Sequence, residues 1–319
     1  MKGKLPALVL PLIASFVLAL GGVILPVSAE SEDDLRFDQV MSIKDLSGGE
    51  ALKRPMSVVV DGLGRIIVND LSDQIHVFDQ SGKHLFSFGK KGKRDGQFRD
   101  TYGLAVDAQN RIYVSDTGNY RVQVFDKDGN FLAKFGSKGE GDDQFLRPGS
   151  LAIKDKTIYV VDVEAHRVSA WSLDGQHLFN FGEKGTKEGQ FMYPQGIAVG
   201  PDGSVYVVDG LNFRVEIFDD KGEYSDKFGK QGDTEGTFSR PKGVAVDAEE
   251  QVFVVDGLLN LVQVVDNVGE YLGKIGGDSE TPLFAQPYGI WVDKQGKVYV
   301  ADRGNDEIKV FTPATTGKK

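Results

Sequence analysis

The 319-residue chain contains no cysteine. That excludes disulfides, thiolate metal sites, a cysteine nucleophile, a haem-attachment motif and the lipidated cysteine of a bacterial lipoprotein. Histidine is almost as scarce: His76, His84, His166 and His177 are the four in the chain, which restricts zinc chemistry before any site is sought. No stretch after Glu30 carries a sustained helical period. Neither a Gly-x-Ser-x-Gly elbow nor a phosphate-binding loop is present. Basic residues are outnumbered, 37 Lys and Arg against 47 Asp and Glu, for a formal charge of -10. A surface that acidic repels phosphate backbones, so nucleic acid is not an expected partner.

Glycine, by contrast, is abundant, with 40 residues against 11 prolines. Without a collagen period, such an excess points to many tight turns and hence to many short strands. The N-terminus has the pattern of an export signal. Lys2 and Lys4 precede an apolar run from Leu5 to Val27, and Val27-Ser28-Ala29 offers small residues before Glu30. The run is long for a signal peptide, so an uncleaved anchor is the alternative. Pro6, Pro11 and Gly21-Gly22 weaken a membrane helix, and the small-residue site favours cleavage after Ala29. Cleavage would remove two lysines, take the charge from -10 to -12, and leave an exported periplasmic or extracellular protein without stable membrane insertion. The expected organisation is a signal peptide at 1–29, a short acidic linker at 30–34, a repeat domain at 35–312 and a flexible tail at 313–319.

Internal repetition decides the fold class. The segment Pro194-Gln195-Gly196-Ile197-Ala198-Val199 has counterparts beginning at Pro55, Thr101, Pro148, Pro241 and Pro287. The starts are spaced by 46 or 47 residues throughout. Each unit reads as four short strands. In the second unit they are the small-residue run from Thr101, then Arg111–Asp116, Arg121–Asp126 and Phe131–Gly136, with Asp128-Gly129-Asn130 as the last turn. Four-strand units of this length are the blades of a β-propeller, and a single blade cannot bury both its faces. The chain is therefore expected to be all-β, a six-bladed β-propeller of four-stranded antiparallel blades.

Small residues in the first strand suit a crowded innermost position. The connections between blades carry paired aromatics ten residues apart, Phe88 with Phe98, Phe135 with Phe145, Phe181 with Phe191 and Phe228 with Phe238. They read as apolar pegs fixing one blade on the next. The sixth unit runs out after its third strand, Glu307–Phe311, while an orphan strand, Phe37–Ile43, precedes the first unit. Pairing the two would close the ring with an N-terminal strand and cover an exposed edge.

The segments Asp116-Thr117-Gly118-Asn119-Tyr120-Arg121 and Asp209-Gly210-Leu211-Asn212-Phe213-Arg214, with the small first strands, resemble the NHL-repeat family. The resemblance covers all six units and implies the propeller fold. Animal members of that family bind RNA or protein, and another member is a metal-using amidating lyase. For exported bacterial members the resemblance implies mostly binding or scaffold roles. Fold alone settles none of these.

Three sets of residues are candidates for a site. The first is the Asp ending each second strand: Asp70, Asp116, Asp162, Asp209, Asp256 and Asp302. Six carboxylates near an axis could hold a cation. The favoured reading is structural, each Asp capping its turn and pairing with an Arg five residues on, as in Asp116–Arg121, Asp162–Arg167 and Asp209–Arg214. The second set is the histidines, which fall in two units only and share no metal-ligand spacing; no metal and no cofactor are expected. The third is the variable residue after each leading Pro or Thr: Met56, Tyr102, Gly149, Gln195, Lys242 and Tyr288. The topology puts these around one mouth of the channel, where Met56, Tyr102, Gln195, Lys242 and Tyr288 could receive a small polar or anionic ligand or a peptide tip. On the same face the first inter-blade loop is basic (Lys90, Lys91, Lys93, Arg94, Arg99) and the next is acidic (Glu140, Asp142, Asp143), which suits a protein partner of complementary charge. The resulting expectation is a non-catalytic binding or scaffold propeller, with a protein or peptide partner. The alternative is a metal-dependent lyase or lactonase-like enzyme on the same fold.

Overall fold

Each of the first five repeats folds into one four-stranded antiparallel sheet, its strands in chain order from the axis outward, and the sixth supplies three strands of its sheet. The computed structural model describes residues 34–277 and 281–314, so the expected signal peptide lies outside the described residues. Blade 1 comprises Ser57–Val60, Ile66–Asn69, Ile75–Phe78 and His84–Phe88. Blades 2 to 5 repeat this from Thr101, Pro148, Pro194 and Pro241, and blade 6 starts at Pro287.

The burial pattern explains why the sheets stack. Second and third strands are buried along nearly their whole length, and at every residue in Ile112–Asp116 and Arg121–Phe125. A strand with one wet face would alternate; these bury both faces because a blade lies on each side. Fourth strands such as Phe131–Phe135 and Tyr224–Phe228 are largely exposed, as the outermost position requires. Each core cluster is accordingly shared by two neighbouring blades.

The pegs complete those shared cores. Phe98, Phe145, Phe191 and Phe238 are fully buried. Phe88 and Phe98 lie 5.0 and 5.4 Å from Phe125 of the next blade, and Phe135 and Phe145 lie 4.8 and 5.5 Å from Trp171. Burying each such ring contributes roughly 1.5–3 kcal/mol. Glycine is needed beside the peg: Gly89 has φ +86°, and a Cβ there would overlap the Phe98 ring. Innermost strands are held to glycine for a different reason. A Cβ on Gly103 or Gly289 would strike the backbone of the next blade's innermost strand, at Gly149 or Met56.

The ring closes as the repeat pattern predicts. Phe37–Ile43 pairs antiparallel with Glu307–Pro313, from Phe37 opposite Pro313 to Ile43 opposite Ile308, with a register shift between Gln39 and Met41. The same segment reaches blade 5, where the Leu35 amide donates to Leu272 O at 2.8 Å and Phe37 meets Phe253 edge-on at 5.8 Å.

Candidate functional site: the channel mouth

The six Asp residues at the ends of the second strands are buried, none more than 1% exposed. Each accepts a backbone N–H from the loop entering its blade: Lys53 to Asp70 (2.8 Å), Arg99 to Asp116 (2.8 Å), Arg147 to Asp162 (2.7 Å), Met192 to Asp209 (2.6 Å), Ser239 to Asp256 (2.6 Å) and Ala285 to Asp302 (2.8 Å). They tie the inter-blade loops down rather than face the axis. Two of the expected ion pairs are present, Arg121 Nε to Asp116 at 2.7 Å and Arg214 Nε to Asp209 at 3.0 Å. The third differs. Arg167 turns its guanidinium to the carbonyls of Gly141 (2.6 Å) and Gln144 (2.9 Å), leaving Asp162 to backbone donors alone. In blade 6, where Glu307 stands in the Arg position, Lys309 supplies the cation at 3.1 Å from Asp302. Burial raises the carboxyls of Asp116, Asp162 and Asp209 against these donors. At Asp70 the same burial effect is outweighed by the hydrogen bond and charge of His76, 3.2 Å away, and the carboxyl is lowered.

The histidines lie off the channel. His76 Nδ1 and His84 Nε2 both meet the Ser87 hydroxyl at 2.8 Å in blade 1. His166 accepts the Tyr193 N–H at 3.1 Å, and His177 sits against Trp171 in blade 3. Among the described residues no three His, Asp or Glu side chains converge as metal ligands. The channel, about 140 Å³, is lined by Leu104, Leu151, Ile197, Val244, Ile290 and other apolar side chains, with Ser57 and Ser150 as hydroxyls. These residues do not fit the donor set of an axial metal.

The variable residues at the mouth do converge. Tyr102 and Tyr288, from blades 2 and 6, pack edge to face at 5.5 Å and share a short hydrogen bond between their hydroxyls. Both hydroxyls reach Gln195 Oε1 of blade 4, at 3.1 and 3.0 Å, and Lys242 Nζ of blade 5 donates to the same oxygen at 3.2 Å. Lys242 Nζ also stands 5.5 Å from the centroid of the Tyr288 ring. Met56 has no polar group to offer the knot and is buried, with 7% exposure. Gly149 contributes its carbonyl, which accepts from Ser115.

This knot is rich in donors. One phenol proton is used in the bond between the two hydroxyls, so one phenol and the Lys242 ammonium fill the two lone pairs of Gln195 Oε1, and Lys242 keeps two further N–H donors. Burial and the adjoining Tyr288 hydroxyl push the Tyr102 phenol well above its ordinary value, and burial raises Tyr288, so both remain protonated donors. Burial, with repulsion from Arg240, Arg303 and Arg147, brings the Lys242 ammonium down to about 8.

A set of cations surrounding the knot was missed in the sequence. Arg54, Arg147 and Arg240 each precede the leading proline, in blades 1, 3 and 5, and Arg303 of blade 6 lies 5.9 Å from the Tyr288 ring centroid. The Arg-Pro pair at alternate units was the available signal. Arg147 has an exposed partner in Glu164 at 3.6 Å. Arg54, Arg240 and Arg303 make no ion pair among the described residues, and the buried Arg303 Nε has no hydrogen-bond partner there. Asp100 holds the same place in blade 2 and donates its N–H to Asp73.

Comparison with known proteins agrees with this architecture. A family model described as a 6-bladed beta-propeller matches residues 100–181, and one for the NHL repeat matches residues 191–218. Among curated proteins none matches in sequence. Among solved structures, a gluconolactonase from Xanthomonas campestris is 17% identical with a TM-score of 0.65, over 88% of this chain and 90% of that one. A streptogramin B lyase is 16% identical with a TM-score of 0.60, over 82% and 79%. A protein of unknown function from Bacteroides thetaiotaomicron is 18% identical with a TM-score of 0.63, over 88% and 72%. At these identities the likeness concerns the fold. With six four-stranded blades and the ring closure, the chain is a six-bladed β-propeller that carries an NHL repeat at residues 191–218.

Proposed function

We propose that the protein is a non-catalytic binding propeller of the cell envelope or extracellular space, whose channel-mouth face recognises a protein, peptide or small ligand through an acceptor-rich, anionic group. The observation that carries this reading is the donor surplus at the mouth. Lys242 gives one N–H to Gln195 Oε1 and keeps two more, and Arg54, Arg240 and Arg303, without an ion pair among the described residues, stand around it. An incoming carboxylate would accept those N–H groups in charge-assisted hydrogen bonds. Beneath the knot the apolar channel wall supplies neither acid nor base. Export is supported by Lys2, Lys4 and the apolar run ending at Val27-Ser28-Ala29. The lyase or lactonase alternative has behind it the shared ring of two neighbours, without the axial donors such chemistry uses.

The test compares affinity capture from the native envelope fraction by the wild-type protein and by a Lys242→Glu/Arg240→Glu variant, with Lys294→Glu on the opposite face as control. A partner retained by wild type and control but lost by the mouth variant is the expected result. An identical set of retained proteins in all three, or a stoichiometric metal accompanied by lactone or depsipeptide turnover, would overturn the proposal.

A further inference from the structure

Beside the mouth, between blades 4 and 5, lies an open groove of about 530 Å³. Its walls join two kinds of residue that are seldom left together on a surface. Tyr193, Leu211 and Leu258 are 40%, 55% and 60% exposed, with Phe213 behind them. The leucines occupy the second place after the buried Asp of their blades. The other four blades have Ser72, Gly118, Glu164 and Gly304 there. Blade 1 has an exposed leucine in the same turn, Leu71, but the groove brings two such leucines together with Tyr193. Clustered apolar exposure of this kind marks a contact surface, where single exposed residues do not.

The cationic wall is formed by Arg240 and Lys242. No Asp or Glu lines the groove, in a chain whose formal charge is -10. Asp256, the carboxylate whose charge acts on Lys242, is buried and occupied by the N–H groups of Ser239, Arg240, Leu258 and Leu259. The groove therefore offers positive charge at one end and an apolar wall at the other, in the volume range of small-molecule sites.

We propose that this groove binds a small organic acid with a single carboxylate on an apolar acyl or aryl body, its carboxylate between Arg240 and Lys242 and its body against Leu211, Leu258 and Tyr193. This rests on the reading of the mouth as an anion-recognising site and extends it to a ligand class, because Lys242 faces both. Charge and apolar area each contribute, so neither half alone binds as tightly.

Titration calorimetry of the full chain with octanoate, octanol and acetate tests the idea. Octanoate is expected to bind saturably, at least ~10-fold tighter than octanol or acetate. Arg240→Gln and Leu258→Ser, both at exposed positions, should each weaken octanoate by ~10-fold or more, while Lys294→Gln changes nothing. Octanol binding as tightly as octanoate, or octanoate affinity untouched by both groove variants, would refute the proposal. The two readings can fail separately. Acetate binding that Lys242→Met abolishes and Leu258→Ser leaves alone keeps the mouth and discards the groove. Octanoate binding that needs Leu258, with no partner lost on changing the mouth, does the reverse.

Discussion

Replacing Glu216 by Gln should stabilise this protein above neutral pH. Glu216 is fully buried in the third strand of blade 4, with its carboxylate 2.8 Å from Arg214 Nη2 and neither oxygen in a well-aligned hydrogen bond. Burial pushes the carboxyl up to about 7, against the pull of Arg214 and with the help of Asp209. Its value in the unfolded chain is near 4.5. Between those two values the native state holds a proton that the unfolded state has released. The group's contribution to stability is thus full below pH 4.5 and is lost as pH rises toward 7. That span sets a ceiling of about 3 kcal/mol. Gln removes this cost. It also restores what blades 2 and 5 have at the same place, where Gln123 and Gln263 accept the N–H of Gly96 and Gly236 and donate to the carbonyls of Gln97 and Thr237. Loss of the Arg214 contact offsets part of the gain, and Arg214 keeps Asp209 and three carbonyls. A net gain of about 1–2 kcal/mol at pH 8 remains, or several degrees in melting temperature. Thermal unfolding of both proteins from pH 4 to 9 is the assay. The curves should converge near pH 4 and separate through pH 5–7. Parallel curves, or a variant less stable at pH 8, would refute the reasoning.

Deleting residues 35–43 should sharply lower the melting temperature, since it uncovers Glu307–Pro313 along its length; an unchanged melt would contradict the seam. Phe145→Ala is expected to cost about 3–5 kcal/mol by denaturant titration, and a loss under 1 kcal/mol would show that the peg is dispensable. Gly182→Ala forces alanine to φ +83° and into the Phe191 ring. It should destabilise by more than about 1 kcal/mol, and equal stability would show that the loop relaxes freely.

The blades were legible in the sequence because each must present a small residue to its neighbour's backbone, and that need recurs every 46 or 47 residues at Ser57, Gly103, Ser150, Gly196, Gly243 and Gly289. The convergence of Tyr102, Gln195, Lys242 and Tyr288 followed from the same register. Met56 shares the register, but its apolar side chain is buried and brings no polar group, as transfer out of water favours. The main task of the terminal Asp residues was hidden, since their partners are backbone N–H groups some 17 residues earlier, which any residue supplies. Arg167 was assigned to Asp162 from spacing, yet two loop carbonyls compete for the same guanidinium. The groove was invisible because Leu211 and Leu258 stand in turns, where periodicity says nothing about exposure.

The seam between Phe37–Ile43 and Glu307–Pro313 also imposes a schedule. During synthesis the earliest strand of the toroid must wait, bare-edged, until the last strand of blade 6's own repeat has emerged. Its partner is some 270 positions away, the most distant pairing in the fold, and such pairings form slowly. Until then blade 6 is three strands wide and open to a strand from another molecule. The register shift between Gln39 and Met41 marks the proper N-terminal strand off from flat, regular intruders.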